Sequence, residues 1–257
     1  MPKSHPWTKP QLILALNLYL KLPFGKLHSK TPEIIHLANL IGRTPGAVAM
    51  RLTNFASVDP YHQKRGIKGL EGGYKQVKPI WDEFEEDREQ FIFESEKLLA
   101  SYENRPLESK YKDSLKNISG ILGETRLSQV KTRVNQRVFR ELVLANYENR
   151  CAVSGINISK LLIASHIIPW AENAKERLNP ENGICLSPLY DKAFDDGFMG
   201  IDNKYKILIS KRFEKEIDGT CFEKFFKPYM GAGINLPKKY LPGKEFLEEH
   251  LEKKFLN

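Results

Sequence analysis

A chain of 257 residues is long enough for one large domain or two small ones. With 41% hydrophobic, 11% aromatic and 28% charged residues it is an average globular composition, which excludes collagen-like and wholly disordered chains. The net charge of +8 favours a polyanionic partner, and no apolar run approaches the roughly 20 residues that cross a bilayer.

The opening MPKSHPWTKPQ lacks the apolar stretch of a signal peptide, so a cytoplasmic location and no membrane partner are expected. Thr8 then caps a helix in which Leu12, Leu16, Tyr19 and Leu20 share a face, with Trp7 before the cap and Pro23 and Gly25 at its end. Thr31, Pro32 and Glu33 open a second helix, with Ile35, Leu37, Ala38 and Ile41 as its apolar face and Gly42 as its stop. Thr44 and Pro45 open a third, which turns Val48, Leu52 and Phe55 inward and Arg51 outward. The stretch LANLIGRTPGAVAMRL resembles a helix-turn-helix or Myb-like pattern, which implies a last helix that carries polar side chains to base edges.

Charge is segregated along the chain. Residues 1–80 hold twelve basic against three acidic side chains, a local charge of +9. Arg43, Arg51, Lys64, Arg65 and Lys68 are the DNA-binding candidates there, because such groups displace condensed counterions. Residues 81–100 reverse the sign to −6, and Trp81, Phe84, Arg88, Phe91, Leu98 and Leu99 recur as on one amphipathic helix with a solvated acidic face. Residues 105–125, with Pro106, Gly120 and Gly123, read as a linker between domains 1–104 and 126–257. A second basic stretch follows at 126–150, where Arg133, Arg137 and Arg140 are further DNA-binding candidates.

In the second domain the run LLIASHII places His166 in a strand ended by Pro169. Asn182 and Gly183 then precede the strand-like ICLS, and Pro188 starts a helix. Asp191 and Asp195, four residues apart, project from one face of that helix with Cβ atoms about 5–6 Å apart, within reach of one cation. The later run YKILIS reads as a strand and EFLEEHLEKKFLN as a terminal helix with His250 facing solvent. Cys151, Cys185 and Cys221 form no CxxC pair, so neither a disulfide framework nor a structural zinc is expected.

The segment CAVSGINISKLLIASHIIPWAENAKERLNPENGICLSPLYDKAFDDGFMGID resembles the HNH endonuclease family, in the branch whose core reads SHI, NG, L and FD in that order. The flanks QRVFRELVLANYENRC and GINLPKKYLPGKEFLEEH share the likeness. The resemblance implies an α+β protein in which a helical, helix-turn-helix-like domain precedes a ββα-metal nuclease domain. It makes His166 the general base, gives Asn182 the ordering of the loop and support of base or metal, and gives Asp191 and Asp195 the metal. Asp191 takes the place of the family's closing histidine. Ser165 and Tyr190 stand where relatives carry a metal ligand or a histidine, which makes them further metal or outer-sphere candidates.

The chemistry this implies is hydrolysis of DNA phosphodiester bonds with Mg²⁺ or Mn²⁺, the hard ions that carboxylates favour, in restriction or antiphage defence. Two alternatives stay open: a DNA-binding protein with a degenerate HNH fold, and an HNH nuclease acting on RNA. One such site cuts one strand, so double-strand cleavage calls for a homodimer or two encounters.

Overall fold

The computed structural model describes residues 6–64, 66, 71–116 and 123–256. The chain divides into two compact units, Met1–Val138 and Phe139–Asn257.

In the first unit, α1 (Lys9–Lys21), α2 (Pro32–Leu40), α3 (Pro45–Val58) and the short α4 (Pro60–Gln63) are followed by α5 (Glu71–Glu86), α6 (Arg88–Tyr102) and α7 (Leu107–Lys110). The starts of the first three helices lie where the capping signals put them. Thr8 and Gln11 form a reciprocal capping box, and the Thr44 hydroxyl accepts from the Ala47 N–H. Thr31 precedes α2 without capping it, because its hydroxyl donates to the Lys26 carbonyl at 2.6 Å instead. Gly42, at φ +65°, supplies the left-handed turn between α2 and α3 that a side chain would strain. The inward face of α2 is set by Ile34, fully buried, rather than Ile35, which is 38% exposed.

α3 is the hub of this unit and packs against α1, α2 and α5. At Gly73 of α5 a Cβ would collide with the Asn54 side chain, so only glycine permits that approach. Tyr19, Phe55 and Trp81 meet at ring separations of 6.2 Å. The single helix expected over residues 81–100 is two. Asp87 leaves the helical conformation at φ −144° and caps α6 by accepting from the Gln90 N–H, which ends α5. Glu96, buried in α6, is enclosed by Lys21, Lys110, Asn17 and Tyr111. Tyr111 also joins Phe93, Val130 and Val134 in a core cluster, with Leu107 and Leu115 against it, so the described start of the expected linker is packed into this unit.

α8 (Gly123–Asn146) contains the boundary between the units, after Val138. In the second unit, β1 (Ile163–His166) pairs antiparallel with β2 (Gly183–Leu186), Ser165 opposite Ile184 and His166 opposite Gly183. α9 (Pro188–Asp195) follows at once and packs on both strands. β3 (Met199–Ile201) and β4 (Ile207–Ile209) form a second antiparallel pair. α10 (Lys211–Glu216), α11 (Gly219–Phe225) and α12 (Lys244–Lys253) complete the unit.

His250 does not face solvent. It is 2% exposed, its ring stacks on Phe194 at 3.8 Å, and its Nε2 lies 3.0 Å from the Phe194 carbonyl oxygen. The reason is its spacing: three residues after the buried Leu247, it shares the inward face of α12. No helix among the described residues is long and apolar enough to cross a membrane.

Candidate active site

His166 ends β1, held from three sides. Its ring stacks on Phe139 of α8 at 3.6 Å and 14°, and Trp170 meets it edge-on at 5.5 Å. Its Nε2 lies 3.0 Å from the Arg177 carbonyl oxygen. A carbonyl can only accept, so Nε2 carries the hydrogen and the Nδ1 lone pair is left to take a proton. Burial lowers the imidazole pKa to about 4, against the hydrogen bond to the Arg177 carbonyl, which raises it, and with the Arg177 charge, which lowers it, so the ring is neutral at pH 7.

The loop that carries Arg177 is fixed by Asn182. This amide is buried; its Oδ1 accepts from the Ile168 N–H at 2.8 Å, and its Nδ2 donates to the carbonyls of Ile168 at 3.1 Å and Glu176 at 3.2 Å. The Asn182 carbonyl accepts from the Ile167 N–H as well, so both residues after His166 are tied to it. Gly183 beside it has a packing role: a Cβ there would run into Val143 and Phe139 of α8.

Asp191 and Asp195 stand one turn apart on α9, Asp191 half-buried and Asp195 nearer the surface. Desolvation raises the pKa of both. The neighbouring Asp195 charge raises Asp191 further, against the Ser165 hydroxyl and Lys192; Lys254 and Lys192 oppose the rise at Asp195. The Ser165 Oγ is buried and faces Asp191 without completing a well-formed hydrogen bond. Tyr190 is committed elsewhere: its hydroxyl donates to the Phe225 carbonyl at 2.8 Å, and its ring packs on Phe226 and Tyr229.

Successive strand residues point to opposite faces, so Ser165 meets Asp191 of α9 while His166 meets Phe139 of α8. Among the described residues, no three His, Cys, Asp or Glu side chains come together as a metal site. The acid pair and the Ser165 hydroxyl supply hard oxygen donors on one side of α9. They fit part of the shell of Mg²⁺ or Mn²⁺, which readily completes itself with water and phosphate oxygens. Cys151 and Cys185 are buried thiols, and the Cys151 sulfur accepts from the Ser154 and Ser187 N–H groups.

The basic candidates divide by environment. Arg140 donates to the carbonyls of Ser159 and Leu162 and so anchors the entry to β1. Arg133 and Arg137 are exposed on α8, and Arg133 also donates to Gln136 at 3.2 Å. Lys64 is exposed at the end of α4, and Arg65 and Lys68 lie outside the described residues. Arg43 and Arg51 gather at Trp7. Phe139, Trp170 and Arg177 were not legible as partners of His166. Phe139 lies in the upstream flank QRVFREL, but Arg177 acts through its carbonyl, which no residue type encodes.

An antiparallel hairpin followed directly by a packed helix, with a neutral imidazole at the strand end and paired carboxylates on the helix, is a ββα module. Residues 151–202, which include His166, Asn182, Asp191 and Asp195, match the family described as HNH endonuclease, the one the motif order resembles. No curated protein matches the chain.

Proposed function

We propose that this protein is a divalent-metal-dependent endonuclease that hydrolyses phosphodiester bonds of duplex DNA, in restriction or antiphage defence. The observation that carries the proposal is the imidazole of His166 within the HNH segment, kept neutral by burial and left with Nδ1 as acceptor by its bond to the Arg177 carbonyl. The helical first unit and the basic stretch at 1–80 support duplex DNA as the substrate.

In this reading His166 Nδ1 takes a proton from water as the water oxygen attacks phosphorus and the bond to the leaving 3′ oxygen breaks. With its pKa near 4 the base is in acceptor form throughout the physiological range. Arg177 and Phe139 fix the ring plane, and Asn182 fixes the loop that presents Arg177. Asp191 and Asp195 would hold Mg²⁺ or Mn²⁺, which supplies Lewis-acid stabilisation of the charge that builds on phosphate. The Ser165 hydroxyl faces Asp191 and would orient it on forming that hydrogen bond. Tyr190 has a packing role at α11.

Plasmid cleavage with Mg²⁺ or Mn²⁺ tests this. His166→Ala is expected to lower the rate by about 10²–10⁴ with the fold intact by circular dichroism. Metal-independent DNA binding with no nicking by the wild-type protein would establish the degenerate-fold alternative. Preferential digestion of RNA beside duplex DNA would reassign the substrate.

A further inference from the structure

A base-reading helix must offer polar side chains to the groove, and α3 offers few. Its exposed positions are Gly46, Met50 and Thr53, and the Thr53 hydroxyl donates back to the Ala49 carbonyl at 3.0 Å. The Thr44 hydroxyl is taken by the Ala47 N–H. The expectation of a helix lined with groups for base edges is not met, because α1, α2 and α5 cover the rest of α3.

What this corner presents instead is positive charge on an aromatic ring. The guanidinium carbon of Arg51 lies 4.8 Å from the Trp7 ring centre and that of Arg43 lies 5.1 Å from it. Arg43 donates to the Pro6 carbonyl at 2.7 Å and to Gln11 Oε1 at 2.8 Å. Arg51 differs: its Nε and Nη1 are buried and have no hydrogen-bond partner. Burial and the Arg43 charge both act against its protonated form.

A covered donor without an acceptor is costly to leave unmatched, and two guanidinium groups sharing one indole repel as well. An oxyanion relieves both, since it brings lone pairs and opposite charge. We infer that Trp7, Arg43 and Arg51 form an oxyanion site that takes a backbone phosphate of nucleic acid without reading its sequence. This deepens the nucleic-acid reading above and rests on it for the choice of ligand. Because the Arg51 nitrogens are covered, a phosphate that engages them moves the indole of Trp7.

The test is anisotropy of two labelled duplexes of unrelated sequence, titrated without divalent metal at several salt concentrations. Arg51→Gln is expected to weaken both alike, by roughly ten-fold, and to reduce the salt slope by about one. Arg51→Lys, which keeps the charge, is expected to retain most of the slope. The change in Trp emission on duplex binding should be smaller in Trp7→Phe than in the wild type, the remainder coming from Trp170 beside His166.

Wild-type affinity and slope in both Arg51→Gln and Arg43→Gln would overturn the site. A loss confined to one duplex would overturn its indifference to sequence. An emission response to inorganic phosphate, abolished in Arg51→Gln while duplex affinity is unchanged, would assign the site to a free anion and overturn the backbone assignment. If Arg51→Gln fails to fold, Arg43→Gln and Arg51→Lys decide by the same slopes. Plasmid cleavage assayed in parallel separates the two readings: its absence sinks the nuclease proposal, and the binding data sink or keep this one.

Discussion

Asn182 shows how one side chain can organise a site without touching its reacting atoms. Its amide, 1% exposed, satisfies the N–H and carbonyl of Ile168 and the Glu176 carbonyl next to Arg177. Asn182→Ala is expected to cost about 1–3 kcal/mol in urea unfolding, because buried backbone groups lose their partners. Asn182→Asp keeps the acceptor for Ile168 but loses both donations. The sequence makes Asn182 visible through the turn pair with Gly183, whereas its three partners are set by the folded loop. His250 was misread for a related reason. A histidine in a charged helix reads as solvated, although its spacing from Leu247 already placed it on the inward face.

At the scale of elements, local signals were the legible ones. Thr8 with its apolar periodicity located α1, Thr followed by Pro located α2 and α3, and the strand, loop, strand and helix order of the second domain follows Pro169, Gly183 and Pro188. The break at Asp87 was not legible, because apolar spacing continues across it and only the capping bond shows that the helix restarts. Alternation along a strand already sends Ser165 and His166 to opposite faces, but which neighbour each meets is decided by the two helices that flank the hairpin. One of those contacts is open to test at Gly183, where β2 meets Val143 and Phe139 of α8. Gly183→Ala is expected to destabilise the protein by roughly 1–3 kcal/mol through overpacking. It should also slow cleavage by disturbing the ring on which His166 rests, and a urea midpoint together with a cleavage rate checks both.

Across the whole molecule, acid acts on the two units in different pH ranges. Glu96 in the first unit is held down to about 2, from an ordinary 4.5: burial raises it, but Lys21 and Lys110 prevail. Its contribution is complete above about 4.5 and lost as pH falls toward 2. His250 in the second unit is lowered to about 4, from an ordinary 6.5, chiefly by burial. Between those values the unfolded chain takes up a proton that the folded one refuses, so stability falls from pH 6.5 to 4 and levels off below. Melting followed against pH is expected to show first a loss that His250 shares with His166, which burial lowers to the same value, and His250→Gln should shrink that early step while leaving the Glu96 step.

Two stacked imidazole and phenyl pairs, His166 on Phe139 and His250 on Phe194, have a spectroscopic consequence. At separations of 3.6 and 3.8 Å each imidazole lies within the shielding cone of the benzene ring beneath it. Their carbon-bound protons should resonate upfield of those of the exposed His36, which gives a magnetic signature of two interior positions in the intact chain.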